Sequence, residues 1–255
     1  MSLEDLVRRD RAVVAAGLVG VILLAWLYLL GLGRDMQGMD MVAPMAMAAP
    51  WGPGELLAVF GMWAVMMVAM MLPSAAPMIL LFATVNRRRA VDQARPVPVA
   101  IFVAGYLVVW AGFSALAALG QSGLQRAALL SGETLTAAPW LGGAFLIAAG
   151  LWELTPLKYA CLARCQSPLA FIMTEWREGP RGALVMGLRH GVFCVGCCWA
   201  LMSLLFVAGV MNLLWVAAIA GLVLAQKLLP VGRVASRGAG AALLAWGVLV
   251  MTRAL

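Results

Sequence analysis

The chain has few charged residues and only one histidine. Charged side chains make up 11% of its 255 residues, and His190 is the sole imidazole. One imidazole is too few for a bis-histidine haem, a histidine-rich di-iron cluster or a multi-histidine copper monooxygenase site. The sequence also lacks a Walker A motif, a dinucleotide-binding fingerprint and an HExxH motif. These absences exclude several common enzyme classes, so a non-enzymatic function is favoured and an enzymatic one is left open.

Hydrophobic residues make up 64% of the chain, and the mean hydropathy is +0.98. A soluble core cannot cover that much apolar surface, so lipid is the expected solvent. The composition predicts an all-α, polytopic transmembrane helix bundle with about seven spans. The apolar runs that predict these spans cover residues 12–33, 56–84, 98–120, 139–157, 190–208, 212–229 and 239–252.

The basic residues segregate if the N-terminus lies in the cytoplasm and each run crosses once. Of the 18 Lys and Arg residues, only Arg34, Arg126 and Arg253 then fall outside. This pattern is typical of the positive-inside rule and predicts a multi-pass protein of the bacterial inner membrane. The net charge of +7 is therefore attributed to topology, and no nucleic acid is expected as a partner.

The sequence predicts two parts. Residues 1–55 are expected to form an uncleaved signal-anchor helix and an outer, Met-rich connection. Residues 56–255 are expected to form the core helical membrane domain with the cysteines and the histidine. Within this domain, residues 167–180 predict one short amphipathic helix at the membrane interface, with Leu169, Ile172, Met173 and Trp176 as its apolar positions.

All five cysteines lie near the predicted cytoplasmic face. His190, Cys194 and Cys197 share one helical face, and Cys198 lies at its border. Cys161 and Cys165 are one turn apart, just after the preceding apolar run. Because cytosolic thiols are normally reduced, disulfides explain these cysteines poorly. The pattern predicts a soft-metal site, with helix packing as the alternative.

Methionines form two groups. Met36, Met39 and Met41 lie in the predicted outer connection, and Met62, Met66 and Met70 form a stripe along the second apolar run. Thioether sulfur selects soft ions such as Cu(I), so both groups are candidate ligands. The alternatives are a linker in the first case and packing in the second. Pro73 and Pro77 predict a kink or break in the second helix.

Glu153 lies inside the fourth apolar run, where a carboxylate needs a partner. Lys158 is its expected ion-pair partner. Lys227, at the end of the sixth run, is interpreted as one of the positive charges of the inner membrane face.

Three segments resemble a bacterial family described as predicted metal-binding integral membrane proteins of unknown function. They are residues 63–77, residues 154–168 with the pattern Leu-Lys-x-x-Cys-x-x-x-Cys, and residues 187–215 with the pattern His-Gly-x-x-Cys-x-Gly-Cys-Cys-Trp. The resemblance covers residues 56 to 250 and implies Cys161, Cys165, His190, Cys194, Cys197 and Cys198 as metal ligands. Family members often have Glu where this chain has Gln226.

The sequence thus predicts a membrane protein that binds Cu(I), with Zn(II) as the alternative metal, and that transports or delivers it. An iron–sulfur cluster would require a cysteine spacing that is not found here. A metallochaperone or a copper-requiring metalloenzyme is an expected partner, and a homo-oligomer is left open. Two other hypotheses remain: a redox protein that uses Cys197 and Cys198, and a structural subunit in which metal joins helices.

Overall fold

The computed structural model describes residues 3–38, 52–89, 97–130, 137–210 and 212–254. These residues are almost entirely helical, and the described part holds no strand beyond an isolated bridge between Leu130 and Ala137. The all-α prediction is confirmed. The helices are α1 (Leu3–Gly38), α2 (Pro53–Arg89), α3 (Val99–Arg126), α4 (Pro139–Glu153), α5 (Pro156–Gln166), α6 (Pro168–Glu175), α7 (Gly179–Ser203), α8 (Leu205–Ala208), α9 (Leu213–Leu228) and α10 (Gly232–Ala254).

Five helical stretches are long and apolar enough to cross a membrane, counting within the described residues. They are Val7–Arg34, Pro53–Arg89, Val99–Arg126, Gly179–Ala208 and Gly232–Arg253. The pair α4 and α5 would make a sixth if it is one span, but the two helices are bent by 65°. The remaining apolar run forms α9, which has only 16 residues. The predicted count of seven spans is therefore not confirmed.

The bend between α4 and α5 follows from Thr155 and Pro156. The Thr155 side chain accepts a hydrogen bond from the Lys158 backbone N–H, and Pro156 occupies the start of α5. A capping threonine followed by proline begins a new helix, because proline has no N–H to continue the previous one. As a result α5 leaves the axis of α4 and packs against α7, which brings Cys161 and Cys165 beside the cysteines of α7.

Glycines let α3 and α7 pack closely. A Cβ atom on Gly187 would collide with the backbone oxygen of Phe102, and one on Gly191 would lie 2.9 Å from Cβ of Val109. Small residues four apart permit such backbone approach between membrane helices. This contact carries Tyr106 of α3 to the level of Cys194.

Pro73 and Pro77 lie inside α2, which runs from Pro53 to Arg89 without ending at either proline. Of the two predicted outcomes, a break is therefore wrong, and a kink stays a prediction. Near these prolines, the Met71 carbonyl accepts hydrogen bonds from Ser74 Oγ at 2.9 Å and from the Tyr106 hydroxyl at 3.1 Å. The second of these bonds ties α2 to α3.

A short helix is present in the predicted stretch as α6. Phe171 and Ile172 are buried in the bundle, whereas Leu169 and Met173 are exposed on its outside. Its place at the membrane interface stays a prediction. The division into residues 1–55 and 56–255 stays a prediction, since residues 39–51 lie outside the described part of the chain.

Candidate metal centre

Five sulfur-bearing side chains from three helices meet in the interior of the bundle. Cys165 comes from α5, Cys194, Cys197 and Cys198 from α7, and Met71 from α2. We call these five residues the sulfur cluster. Each is 9% exposed or less, and all four thiols are free. The helix bend after Glu153 supplies one side of the cluster and the Cys-rich face of α7 supplies the other.

Cys165 and Cys197 form the first close pair, linking α5 to α7. Their sulfur atoms are 4.0 Å apart. Two sulfurs 4.0 Å apart can both bind one ion at about 2.3 Å, with a sulfur–metal–sulfur angle of about 120°. The pair therefore has a spacing that suits a shared soft ion.

Cys198 and Met71 form the second close pair, linking α7 to α2. Their sulfur atoms are 3.8 Å apart. The thiols of Cys197 and Cys198 also donate hydrogen bonds to the Cys194 carbonyl, at 3.1 Å and 2.8 Å. One thiol of each pair therefore donates to the same carbonyl oxygen, and these two cysteines, Cys197 and Cys198, are neighbours in α7.

Cys194 lies between a lysine and a tyrosine. Nζ of Lys227 is 2.9 Å from the Cys194 sulfur and also donates to Ser74 Oγ at 3.0 Å. The Tyr106 hydroxyl lies 3.1 Å from the same sulfur. Two polar side chains therefore contact this thiol, whereas the other four members of the sulfur cluster are paired sulfur to sulfur.

Cys161 lies at the edge of the cluster. It is partly exposed, and its sulfur is so close to Gly196 that a Cβ atom there would lie only 2.8 Å away. The Gly196 carbonyl in turn accepts a hydrogen bond from Trp152 Nε1 at 3.2 Å. Cys161 is thus one helical turn from Cys165 and nearer to the surface.

His190 lies one turn before Cys194 on α7, but its recorded neighbours are aromatic. Its ring packs near those of Phe102, Tyr106 and Phe171 at centroid distances of 6.2, 5.7 and 5.4 Å. The imidazole is 3% exposed, and no hydrogen-bond partner reaches its Nδ1 atom among the residues that the structure describes. A buried, unsatisfied nitrogen is costly, so His190 keeps an unused ligand atom close to the cluster.

The structure describes the side chains of only three of the six methionines that the sequence predicts as ligands. Met62, Met66 and Met70 are all buried on α2, yet among the described residues the methionine whose sulfur reaches a thiol is Met71. Met36 lies within α1, but its side chain is outside the described part of the structure, as are Met39 and Met41 altogether.

Sequence reasoning missed Lys227 and Tyr106 as members of the site. Lys227 was interpreted as a surface charge, but only 5% of it is exposed. The available signal was polarity inside an apolar helix, because such residues usually face the bundle interior. Ser74 gave the same signal on α2: it lies three residues after Met71 and so shares its helical face.

The expected ion pair between Glu153 and Lys158 is confirmed, and both side chains are fully buried. Gln226 completes it, accepting from Lys158 Nζ at 2.9 Å and donating to Glu153 Oε2 at 2.8 Å. Ser236 donates to the same carboxylate oxygen at 2.8 Å. Gln226 therefore belongs to a polar network that joins α4, α5, α9 and α10.

The arrangement is not a conventional hard or borderline metal site. The described residues contain no group of three or more His, Cys, Asp or Glu side chains that could hold a metal ion as they stand. Structural zinc sites take four such ligands in a tetrahedron. Two thiols, or a thiol with a thioether, suit a soft ion of low coordination number instead.

Comparisons with known proteins agree with this chemistry. The model of the family PpoB2, described as "Copper chaperone", matches residues 60–250, which is well over half of the chain. No curated protein and no solved structure matches the chain. The predicted membership of a metal-binding family is supported, and copper is the metal that the family description names. The chain belongs to the PpoB2 family of copper chaperones.

Proposed function

We propose that this protein is an integral membrane copper chaperone that holds Cu(I) in the sulfur cluster and passes it to a copper-requiring acceptor protein. One observation carries the proposal: four free thiols and a thioether converge in the buried interior of a chain that belongs to a copper chaperone family. Cys and Met sulfur are the ligands that select Cu(I) over hard cations.

In this proposal Cys165 and Cys197 are the primary ligands. Their separation of 4.0 Å suits one bound ion, and they come from different helices. Cys198 and Met71 form a neighbouring thiol–thioether pair. Copper moves between the pairs by exchanging one sulfur ligand at a time, without any change in oxidation state.

Cys161 is the proposed transfer thiol. It is more exposed than Cys165, from which it is separated by one turn of α5. A chaperone must release its cargo to another protein, and a partly exposed thiol next to a buried one offers a stepwise route. Capture of copper by Met36, Met39 and Met41 stays a prediction, as does transport across the bilayer.

Membrane insertion is part of the proposal. The helices that are long and apolar enough to span a bilayer support it, and the distribution of Lys and Arg supports a cytoplasmic N-terminus. The bacterial inner membrane is the proposed location.

The test is Cu(I) binding by the purified full-length protein in detergent, measured by competition with a chromophoric Cu(I) chelator. Replacing Cys165 and Cys197 together by Ser is expected to lower the Cu(I) affinity at least about a hundredfold. Mutating a residue that only holds a metal ligand in place can already lower metal affinity by about that factor.

Cys161→Ser is the matched control. It removes the same chemical group from the same helix, and the equilibrium affinity should be retained while copper transfer to the chelator slows. Equal Cu(I) affinity in the wild type and the Cys165→Ser, Cys197→Ser variant would contradict the proposal.

A redox function is the second candidate, and the spacing of Cys165 and Cys197 is the observation that favours it. Their sulfurs are close enough to form a disulfide after a small movement. The Cys198 sulfur, in contrast, lies 3.8 Å from the Met71 sulfur, which cannot form a disulfide. Mass spectrometry of the protein after mild oxidation should detect a Cys165–Cys197 bond if thiol redox chemistry is the function.

A further inference from the structure

A cavity of about 460 Å³ lies at the end of the bundle where α1 and α3 begin and α2 ends. Its polar lining comes from Arg9 and Asp10 of α1 and from Asn86 and Arg87 of α2. We call it the basic cavity. None of the described residues that line it belongs to the sulfur cluster, so copper binding does not account for it.

The walls of the basic cavity are held by polar contacts between helices. Nε of Arg87 lies 3.1 Å from a carboxylate oxygen of Asp10, which joins α2 to α1. Asn86 is buried, and its Nδ2 donates to the Val97 carbonyl at 2.7 Å, which fixes the chain just before α3. Within the described part of the chain, no other hydrogen bond or ion pair engages Arg87. The remaining N–H donors of its guanidinium are therefore free to bind a ligand.

The three arginines at the end of α2 have different surroundings. Arg89 pairs with Glu178 at 3.0 Å, and its guanidinium lies 4.7 Å from the centroid of the Trp176 ring. Arg88 is exposed and does not line the basic cavity, whereas Arg87 does. The positive-inside rule counts all three arginines alike. It therefore does not explain why one of them is held beside a cavity.

The charge and polarity of the basic cavity indicate its ligand. Two arginines against one aspartate leave an excess of positive charge, and a guanidinium fork matches the oxygens of a phosphate group. Val13 and Val14 of α1 add an apolar wall, and Val13 is exposed on the outside of the bundle. The apolar stretch of α1 begins at Val7. The cavity thus lies where a phosphate and an acyl chain would both find matching surroundings.

We propose that the basic cavity binds the phosphodiester head group of an anionic phospholipid, with Arg9 and Arg87 on the phosphate and the acyl chain along Val13 and Val14. Basic pockets between helices at the cytoplasmic face are typical sites for such head groups. A free phosphate ion offers the same oxygens to the arginines but leaves the apolar wall uncovered, so the lipid is the assigned source. This inference goes beyond copper binding and rests only on the membrane insertion that the proposed function includes.

The experiment is native mass spectrometry of the full-length protein in detergent, at an ionic strength of about 0.15 M so that exposed charges are screened. The protein is titrated with phosphatidylglycerol, with phosphatidylcholine, and with phosphatidylglycerol in the presence of inorganic phosphate. The wild type should bind phosphatidylglycerol at least about tenfold more tightly than phosphatidylcholine, which carries the same phosphodiester without net charge. Inorganic phosphate at the same concentration should not displace the lipid.

Two pairs of variants separate the cavity from the general surface charge. Arg87→Gln should lower the affinity for phosphatidylglycerol at least about tenfold, because charge-assisted hydrogen bonds to the phosphate are lost. Arg88→Gln is its matched control and should change that affinity by less than about twofold. Arg9→Gln and Arg8→Gln repeat the comparison on α1, where both side chains are exposed and their loss leaves the packing intact.

A difference within either pair supports the cavity as the site, and equal affinities within both pairs overturn it. Equal binding of the two lipids by the wild type, or displacement of the lipid by inorganic phosphate at the same concentration, also overturns the assignment. All four variants should keep the wild-type affinity for Cu(I). A failure of lipid binding with intact Cu(I) binding would therefore defeat this inference alone, whereas a protein that stays soluble without detergent would contradict membrane insertion.

Discussion

Met70 and Met71 are neighbours on α2 with almost equal burial, 1% and 0% exposed, but they face different surroundings. Only the Met71 sulfur has a recorded contact with a thiol, that of Cys198. Adjacent residues on a helix point about 100° apart. The sequence could not say which of the two faces the cysteines, because a run of methionines has no polar residue to orient it.

This difference yields a prediction with an internal control. Met71→Leu removes a thioether from the sulfur cluster, whereas Met70→Leu removes one elsewhere, and both changes nearly conserve volume and cost less than about 1.5 kcal/mol of stability. Cu(I) affinity measured by chelator competition should fall about tenfold in Met71→Leu and by less than about twofold in Met70→Leu. Equal affinities in the two variants would remove Met71 from the site.

Cysteine positions were the most predictable part of the site. The spacing of Cys194 and Cys197 on one helix and of Cys161 and Cys165 on another already suggested that the two groups meet. Lys227 could not be found this way, because a lysine at the end of an apolar run looks like an inner-face charge. Only the tertiary packing of α9 against α2 and α7 turns its side chain inward.

At the level of helices, the bend between α4 and α5 decides where the site forms. The apolar run from 139 to 157 predicted one straight span, since hydropathy carries no information on direction. Thr155 and Pro156 end α4 within that run, and α5 continues at 65° to it and packs against α7. The Glu153–Lys158 pair straddles the bend and, through Gln226 and Ser236, ties it to α9 and α10.

The buried pair should therefore matter more to stability than a surface pair. Glu153→Gln leaves the Lys158 charge uncompensated in the interior and is expected to destabilise the protein by about 3–5 kcal/mol. Glu178→Gln breaks the exposed pair with Arg89 and should cost no more than about 1 kcal/mol. Unfolding of the purified protein in detergent, followed by circular dichroism, measures the difference. Similar losses in the two variants would mean that the network does not hold the bend.

At the level of the whole molecule, helix content followed directly from composition and run length, because apolar segments in lipid must satisfy their own backbone hydrogen bonds. The number of membrane spans could not be predicted from composition and run length in the same way. The short α9 and the bent pair α4 and α5 are apolar enough to have been counted as spans, but neither is a single long helix. These two irregular elements are also the ones that deliver Lys227 and Cys165 to the sulfur cluster.

X-ray absorption spectroscopy of the copper-loaded, full-length protein tests the central claim most directly. The account predicts Cu(I) with no more than about three ligands, all sulfur at about 2.3 Å, and loss of that signal when Cys165 and Cys197 are both replaced by Ser. A first shell made of nitrogen or oxygen, or an unchanged sulfur shell in the variant, would contradict it.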